Sequence, residues 1–459
     1  MIARLRRAWQ TPGGRGFIML AVMSACFGFA LNAHQNIVTN YFEDVLHLSG
    51  PQFGYITAIR EVGGFLLIFF TALLYRISLQ RVTAGALVLL AVGYVFYGLS
   101  TSFWTVVPWV IISSLGYHTV LQTQFSLGLS LTTEAKSGSV LGRMAAFNQA
   151  GTFAALVMVF IIFHYDLLSF RATFVILGAV AFVGAIAIFG FPHLHEGRER
   201  RVAPKRDPIV WRRDYRYYYL LNILDGARQQ VFFSFGLWVL VNNFGLNVAQ
   251  ISAVLLAVTF LSMVSSSWMG RLIDRHGERR TLSLINLAYV VALGGYALAG
   301  NVVIACVCYL IYAFIMPVSP IASSIYLRKI AVAEEVAPSL AMGITLAHAT
   351  AIVVPVAAGF ILNFVGYQVP FFIACGFALV TFAITFKLDA ATQRSAGRIA
   401  ADDARPGPAT LAAAEDAYLA NEIAAAEMSA VLLATDGSAA EEIAGQAAVR
   451  SIHGATRSP

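Results

Sequence analysis

Four formally charged side chains lie inside long apolar runs of this chain: Arg60, Glu61, Asp225 and Arg228. A charge at the centre of a bilayer costs about 2.5–3.5 kcal/mol even on the lenient insertion scale, so it persists only where it pairs or meets water. These residues therefore have chemistry to offer. A guanidinium in such a place can hold an anion, and a carboxyl there can carry a proton. Asp225 and Arg228 fall in Asn222-Ile-Leu-Asp225-Gly-Ala-Arg228-Gln229-Gln230. Their i, i+3 spacing puts them on one helix face, with Asn222 and Gln229 beside them. Counted from Tyr217 at about 1.5 Å per residue, this stripe reaches mid-bilayer. The plainer reading is a salt bridge that only joins helices. Arg60 and Glu61 are sequence neighbours and point about 100° apart on a helix, so each is expected to pair elsewhere. Partners are offered by Asn32, His34, Gln35, Asn36 and Asn40 on the first run, or by the seventh and eleventh runs.

The elements that must carry these groups are membrane helices. The 459-residue chain is 58% hydrophobic and 12% charged. A soluble protein would carry roughly twice that charge, and the mean hydropathy is +0.72. Each spanning helix needs about 20 apolar residues. Twelve runs qualify, near 16–40, 53–75, 82–101, 105–131, 140–163, 171–191, 217–241, 249–270, 281–299, 302–327, 339–363 and 369–388. Other polar residues gather on a subset of them. The fourth carries His118, Gln122 and Gln124, the fifth Asn148 and Gln149, the tenth Tyr309, Tyr312 and Ser319, and the eleventh His348. The third, sixth, ninth and twelfth carry almost none. For any one of these residues, a satisfied bond between helices is as good a reading as a ligand contact.

The cations give an orientation. Arg4, Arg6, Arg7, Arg15, Arg76, Arg81, Lys136, Arg143, the Arg198–Arg216 cluster, the 271–280 arginines, Arg328 and Lys329 all fall on one side. The opposite loops hold only Arg171. This positive-inside pattern puts both termini in the cytoplasm and accounts for the net charge of +7 without nucleic acid. The arginines ahead of the first run mimic a signal peptide, but the run is long and the helix count needs it. Cys26, Cys306, Cys308 and Cys375 lie in apolar spans and read as packing residues, with no disulfide or metal implied.

The most informative short run is Gly270-Arg-Leu-Ile-Asp274-Arg275-His-Gly277-Glu-Arg279-Arg280-Thr-Leu, between two apolar stretches. Gly270 permits close helix approach, Asp274 sits near a helix end, Gly277 supplies the turn, and Arg279 and Arg280 mark the cytoplasmic side. An internal repeat accompanies it, at a spacing of roughly 200 residues. Thr71 to Arg81 aligns with this run, Tyr75 standing where Asp274 does. Leu48 to Gln52 aligns with Leu246 to Gln250, Glu134 to Gly142 with Glu335 to Gly343, and Phe170, Arg171 and Phe174 with Tyr367, Gln368 and Phe371. The pattern G-x-L-x-D-R-x-G-x-R-R-x-L resembles the signature loop of the major facilitator superfamily. The resemblance covers about residues 14–388. It implies twelve transmembrane helices in two pseudo-symmetric six-helix bundles, an all-α membrane protein whose helices 1, 4, 7 and 10 line a cavity. It also implies that this loop controls a cytoplasmic gate, leaning here on Asp274.

The expected divisions are 1–191 for the first bundle, 192–216 for a basic cytoplasmic linker, 217–388 for the second bundle and 389–459 for an Ala-rich flexible tail. The expected function is alternating-access transport of a small solute, proton-coupled, with an anionic or zwitterionic substrate. Arg60, Glu61, Asp225, Arg228, Gln229, His348, Asn32, His34, Gln122, Asn148 and Tyr312 are the expected substrate and coupling residues. Gly270, Asp274, Arg275, Gly277, Arg279 and Arg280 are the expected gate. Partners are the solute, a proton and the lipid bilayer of a bacterial inner membrane. The chain is expected to be monomeric, to bind no nucleic acid or cofactor and not to be an enzyme. There is no Gly-rich phosphate loop, no metal-ligand spacing and no nucleophile elbow, and the fifth span lacks a Gly-Pro antiporter signature. Two alternatives stay open: an amphiphile flippase on the same fold, and a non-transporting assembly or sensory protein.

Overall fold

A computed structural model describes residues 9–74, 77–131, 137–192, 211–390, 392–394 and 399. Tyr75, Arg76, the middle of the linker and most of the tail lie outside the described residues, as do the side chains of Arg271 and Asp274. The described part is helical. In the first half, α1 is Pro12–Asn40, α2 Gly50–Leu74, α3 Leu79–Tyr97, α4 Phe103–Leu129, α5 Ser137–His164 and α6 Phe170–Phe189. In the second, α7 is Arg216–Asn242, α8 Val248–Ala297, α9 Val302–Ile315, α10 Val318–Ile330, α11 Ala333–Val365 and α12 Gln368–Thr385. Every one of the twelve expected stretches is helical. Among the described residues, eight are long and apolar enough to cross a membrane by length and composition. α7 falls short because Asn222, Asp225, Arg228, Gln229 and Gln230 interrupt it.

Two elements depart from the one-run, one-helix expectation. α8 continues through the signature loop and breaks only at Gly277, with φ 74° and ψ 162°. That left-handed, extended geometry is open to glycine and strained for other residues. The eighth and ninth spans are thus two limbs of α8 joined at a single residue. The tenth span is split at Pro317 into α9 and α10. Pro320 has no N–H to give the carbonyl of Met316. The Tyr289 hydroxyl serves instead, donating to the carbonyls of Ile315 and Met316 at 3.2 and 3.3 Å. In lipid a freed carbonyl needs such a replacement donor.

The halves share one packing plan. α1 packs on α5 and α6, α3 on α4 and α6, and α2 on α4. Correspondingly α7 packs on α11 and α12, and α8, whose limbs stand for α2 and α3, packs on α9, α10 and α12. The repeat is visible in side-chain detail. The Gln52 side chain accepts from Ser49 N at 2.9 Å, and Gln250, its counterpart, accepts from Asn247 N at 3.0 Å. Each opens the helix that follows. Phe174 and Phe371, also counterparts, are both fully buried at the starts of α6 and α12. Small residues let helices touch: Gly28 lies on the Asn148 backbone and Gly151 on that of Ala25, fixing the α1–α5 crossing. Between the halves, α2 runs along α11 and α5 along α8.

Candidate functional site

A cavity of about 500 Å³ lies between the halves. α1, α2 and α4 supply one wall, with Asn32, His34, Gln35, Arg60, Glu61 and Tyr117. The Asn32 amide donates to Gly28 O at 2.9 Å and to Thr152 Oγ1 at 2.8 Å, which ties α1 to α5. His34 is buried, and its ring stacks on Tyr94 at 4.4 Å and meets the edge of Tyr97 at 4.9 Å. Its Nε2 has no hydrogen-bond partner. Arg60 keeps about a third of its side chain exposed (35%). A side cavity of about 50 Å³ opens beside it, among Tyr94, Tyr97 and Tyr117.

Arg60 and Glu61 do pair. Arg60 Nη2 stands 3.4 Å from Glu61 Oε1. The expectation that each pairs elsewhere is corrected for Arg60, whose long stem folds back to its neighbour, and holds for Glu61, which also finds a partner on the eleventh span. The Arg60–Glu61 contact is at the outer limit of a hydrogen bond. The other oxygen, Glu61 Oε2, reaches His348 Nδ1 of α11 at 3.2 Å. Glu61 therefore bridges the two halves. His118 of α4, also buried, has its ring 6.1 Å from that of His348. Of these groups His34, Arg60 and Glu61 line the cavity, and His348, with His118 near it, is reached through Glu61.

The opposite wall comes from α7, α8 and α9, and is apolar apart from Gln230, Thr259 and Tyr309: Phe232, Phe233, Leu237, Leu255, Val258, Ala313 and Met316. Asp225 and Arg228 are not on it. They lie inside the second half, where Asp225 Oδ1 and Arg228 Nη2 are 2.8 Å apart. Arg228 is fully enclosed. It donates to Asn286 Oδ1 at 2.9 Å and to Tyr312 OH at 3.3 Å, and its guanidinium lies 3.5 Å over the Tyr289 ring. Ser319 donates to Asp225 Oδ2. Tyr312 therefore serves the ion pair and does not line the cavity. Gln229 is half-buried and off the wall, while its neighbour Gln230 is on it. Asn148 donates to Ser24 O at 3.3 Å and packs α5 on α1, and Gln122 is exposed away from the cavity.

The end of the molecule that carries the 41–49 and 243–247 loops is closed. Asn36 donates to Ser252 Oγ at 2.8 Å, Asn40 to Leu246 O at 3.0 Å and Asn242 to Glu43. Gly50 and Gly359 meet backbone to backbone. Hydrogen bonds that join the halves are seen there and at Glu61–His348. The other end carries the signature loop. Arg275, Arg279 and Arg280 are exposed there, and Arg279 donates to Phe386 O at 3.0 Å. Glu278, buried beside the Gly277 break, receives Lys329 Nζ at 2.5 Å. Nearby, Arg212 Nε donates to Glu335 Oε1 at 2.9 Å and Tyr215 OH to Glu335 Oε2 at 2.6 Å. The Arg212 hydrogen bond, helped by that of Tyr215, holds the Glu335 carboxyl below its ordinary range despite some desolvation.

Sequence reasoning missed Asn286, Glu278 and Gln230 as site residues. Asn286 gave a signal, as a lone amide in the ninth, otherwise apolar span. Glu278 was hidden among the loop arginines, whose charge explained it away.

Comparison with known proteins agrees with this architecture. No functionally curated protein matches the chain. Among solved structures, the nucleoside transporter NupG superposes with a TM-score of 0.67 at 12% identity, covering 81% of this chain and 98% of that one. A bacterial homologue of the human lysosomal transporter Spinster, inward-facing and occupied, gives 0.66 at 12% over 83% and 98%. A bacterial metal transporter gives 0.62 at 12% over 82% and 98%. At such identities the likeness shows the fold alone. The family model of the Major Facilitator Superfamily matches residues 18–228 and 218–431, so the chain belongs to that superfamily of integral membrane transporters.

Proposed function

We propose that this protein is a secondary active transporter that moves a small solute by alternating access and couples the movement to a proton. The observation that carries the reading is Glu61, which faces the cavity and binds Arg60 in its own half and His348 in the other. A carboxylate shared between two moving bodies changes its partners when they rock, so its protonation and the conformation are linked. With the cationic side taken as cytoplasmic, both termini are inside and the closed end faces out. Rocking to open that end would break the Asn36–Ser252 and Asn40–Leu246 contacts. We place the protein in a bacterial inner membrane, acting as a monomer. Proteoliposomes test the coupling: Glu61→Gln should abolish substrate-driven proton uptake, and Asp225→Asn should weaken it through the fold. Unaltered uptake in both variants overturns the assignment.

A second reading, translocation of an amphiphile, is supported by the apolar wall of α7 and α8. Scrambling of a fluorescent lysolipid in the same vesicles, sensitive to changes on that wall, would support it over solute transport.

A further inference from the structure

The register that aligns Gln52 with Gln250 also aligns the two walls of the cavity. In it His34 corresponds to Phe232, Gln35 to Phe233 and Arg60 to Val258, and all six line the same space. Glu61 corresponds to Thr259, which also faces in. At His34/Phe232, Gln35/Phe233 and Arg60/Val258 the two halves thus present opposite chemistry, polar or charged on one side and apolar on the other, whereas Asn32 and its counterpart Gln230 are both amides. We propose that the cavity binds a singly charged amphipathic anion, its head on Arg60 and its apolar body along Phe232, Phe233 and Val258. This rests on reading the cavity as the transport site.

The charges set the sign of the head. Both oxygens of Glu61 are engaged, by Arg60 and by His348. Arg60 spends one of its five N–H groups on a 3.4 Å contact, so a planar fork remains for a carboxylate or phosphate. Among the described residues it is the one arginine or lysine on the cavity wall, so a dianion would lack a second countercharge. The apolar wall sets the body. A sugar or nucleoside would bring hydroxyls against Phe232, Phe233, Val258 and Met316, where they find no partners. Two atoms add detail. His34 Nε2 is buried without a partner, and Gln230 Oε1 is buried without a donor. Gln230 is therefore suited to one N–H or O–H carried on the ligand body. The same chemistry comes from two sources, a free organic acid or a single-chain anionic lipid.

The test is equilibrium binding to the full-length protein in lipid nanodiscs, by titration calorimetry. The probes are phenylacetate, 4-hydroxyphenylacetate and octanoate, each against its own primary amide, with uridine and lysophosphatidylglycerol as further arms. At least one acid should bind about tenfold tighter than its amide, a difference of about 1.4 kcal/mol. Arg60→Gln should bring the acid-to-amide ratio near one, and Arg60→Lys should keep part of the ratio. Phe233→Ala should weaken acid and amide alike and leave the ratio intact. The proposal is overturned if no acid beats its amide on the unmodified protein, if the ratio survives Arg60→Gln, or if uridine binds as well as the acids. If the two compete, tighter binding of lysophosphatidylglycerol than of every acid would assign the ligand to the membrane, and tighter binding of an acid would assign it to water. Binding needs no gradient. An acid preference without proton uptake removes the coupling and keeps the ligand class, while proton uptake without an acid preference removes the ligand class alone.

Discussion

Both halves of this chain carry an arginine and a carboxylate within a helix, and they use them in opposite ways. In the first half, Arg60 and Glu61 face the cavity, hold each other weakly at 3.4 Å and reach across to His348. In the second half, Asp225 and Arg228 are closed off at 2.8 Å, under Tyr289 and against Asn286, Tyr312 and Ser319. A shared scaffold therefore does not mean shared work. A wet, half-satisfied pair can exchange partners with a ligand or a proton. A dry, enclosed pair mainly fixes the packing of the helices around it, and it fails badly when one member is removed.

The largest expected effect tests that contrast directly. Arg228→Ala leaves the Asp225 carboxylate buried and unpaired, and should cost about 3–5 kcal/mol, read as lost thermal stability in detergent. Arg60→Ala should change stability by no more than about 1 kcal/mol while abolishing transport. Similar losses from both would dissolve the distinction. Next, Glu278→Gln should cost about 1–2 kcal/mol, because Lys329 loses a charge-assisted partner but stays half exposed. If the signature loop holds the cytoplasmic gate, as its resemblance implies, Asp274→Asn should slow exchange more than Tyr75→Phe, and equal effects would mean that the first-half loop shares that role. The smallest effect concerns pH. Glu335 is held below its ordinary value, so the Arg212–Glu335 contact contributes stability above the unfolded carboxyl value near 4.5 and loses it as pH falls through the lowered folded value. The thermal midpoint should therefore drop on acidification below that point, and drop less in Glu335→Gln. A rise would reverse the sign and refute the clamp.

The helices and the special residues were legible for different reasons. Burying backbone in lipid demands long apolar runs, so the spans could be read from composition, and the four intramembrane charges stood out because insertion makes them rare. Gly277 was legible because the turn between two membrane helices needs a backbone that few residues tolerate. The direction of each charge was not. Asp225 and Gln230 lie five residues apart on α7, and only packing decides which one meets the cavity. The Glu61–His348 contact joins residues 287 apart, and no local pattern encodes such a pairing. The Arg60–Glu61 contact was misjudged because the angle between neighbouring helix positions says nothing about how far a flexible stem can bend.

Tyr289 occupies one point in two circuits. Its ring is the floor beneath Arg228, and its hydroxyl holds the carbonyls left open where the tenth span breaks. A proline break with free carbonyls is a loose hinge. This one is a pinned joint, with the pin passing through the ion pair. Any bending of α9 against α10 must therefore lift an aromatic ring off a buried cation, so the stiffness of the broken helix and the integrity of the charge pair are set by the same residue.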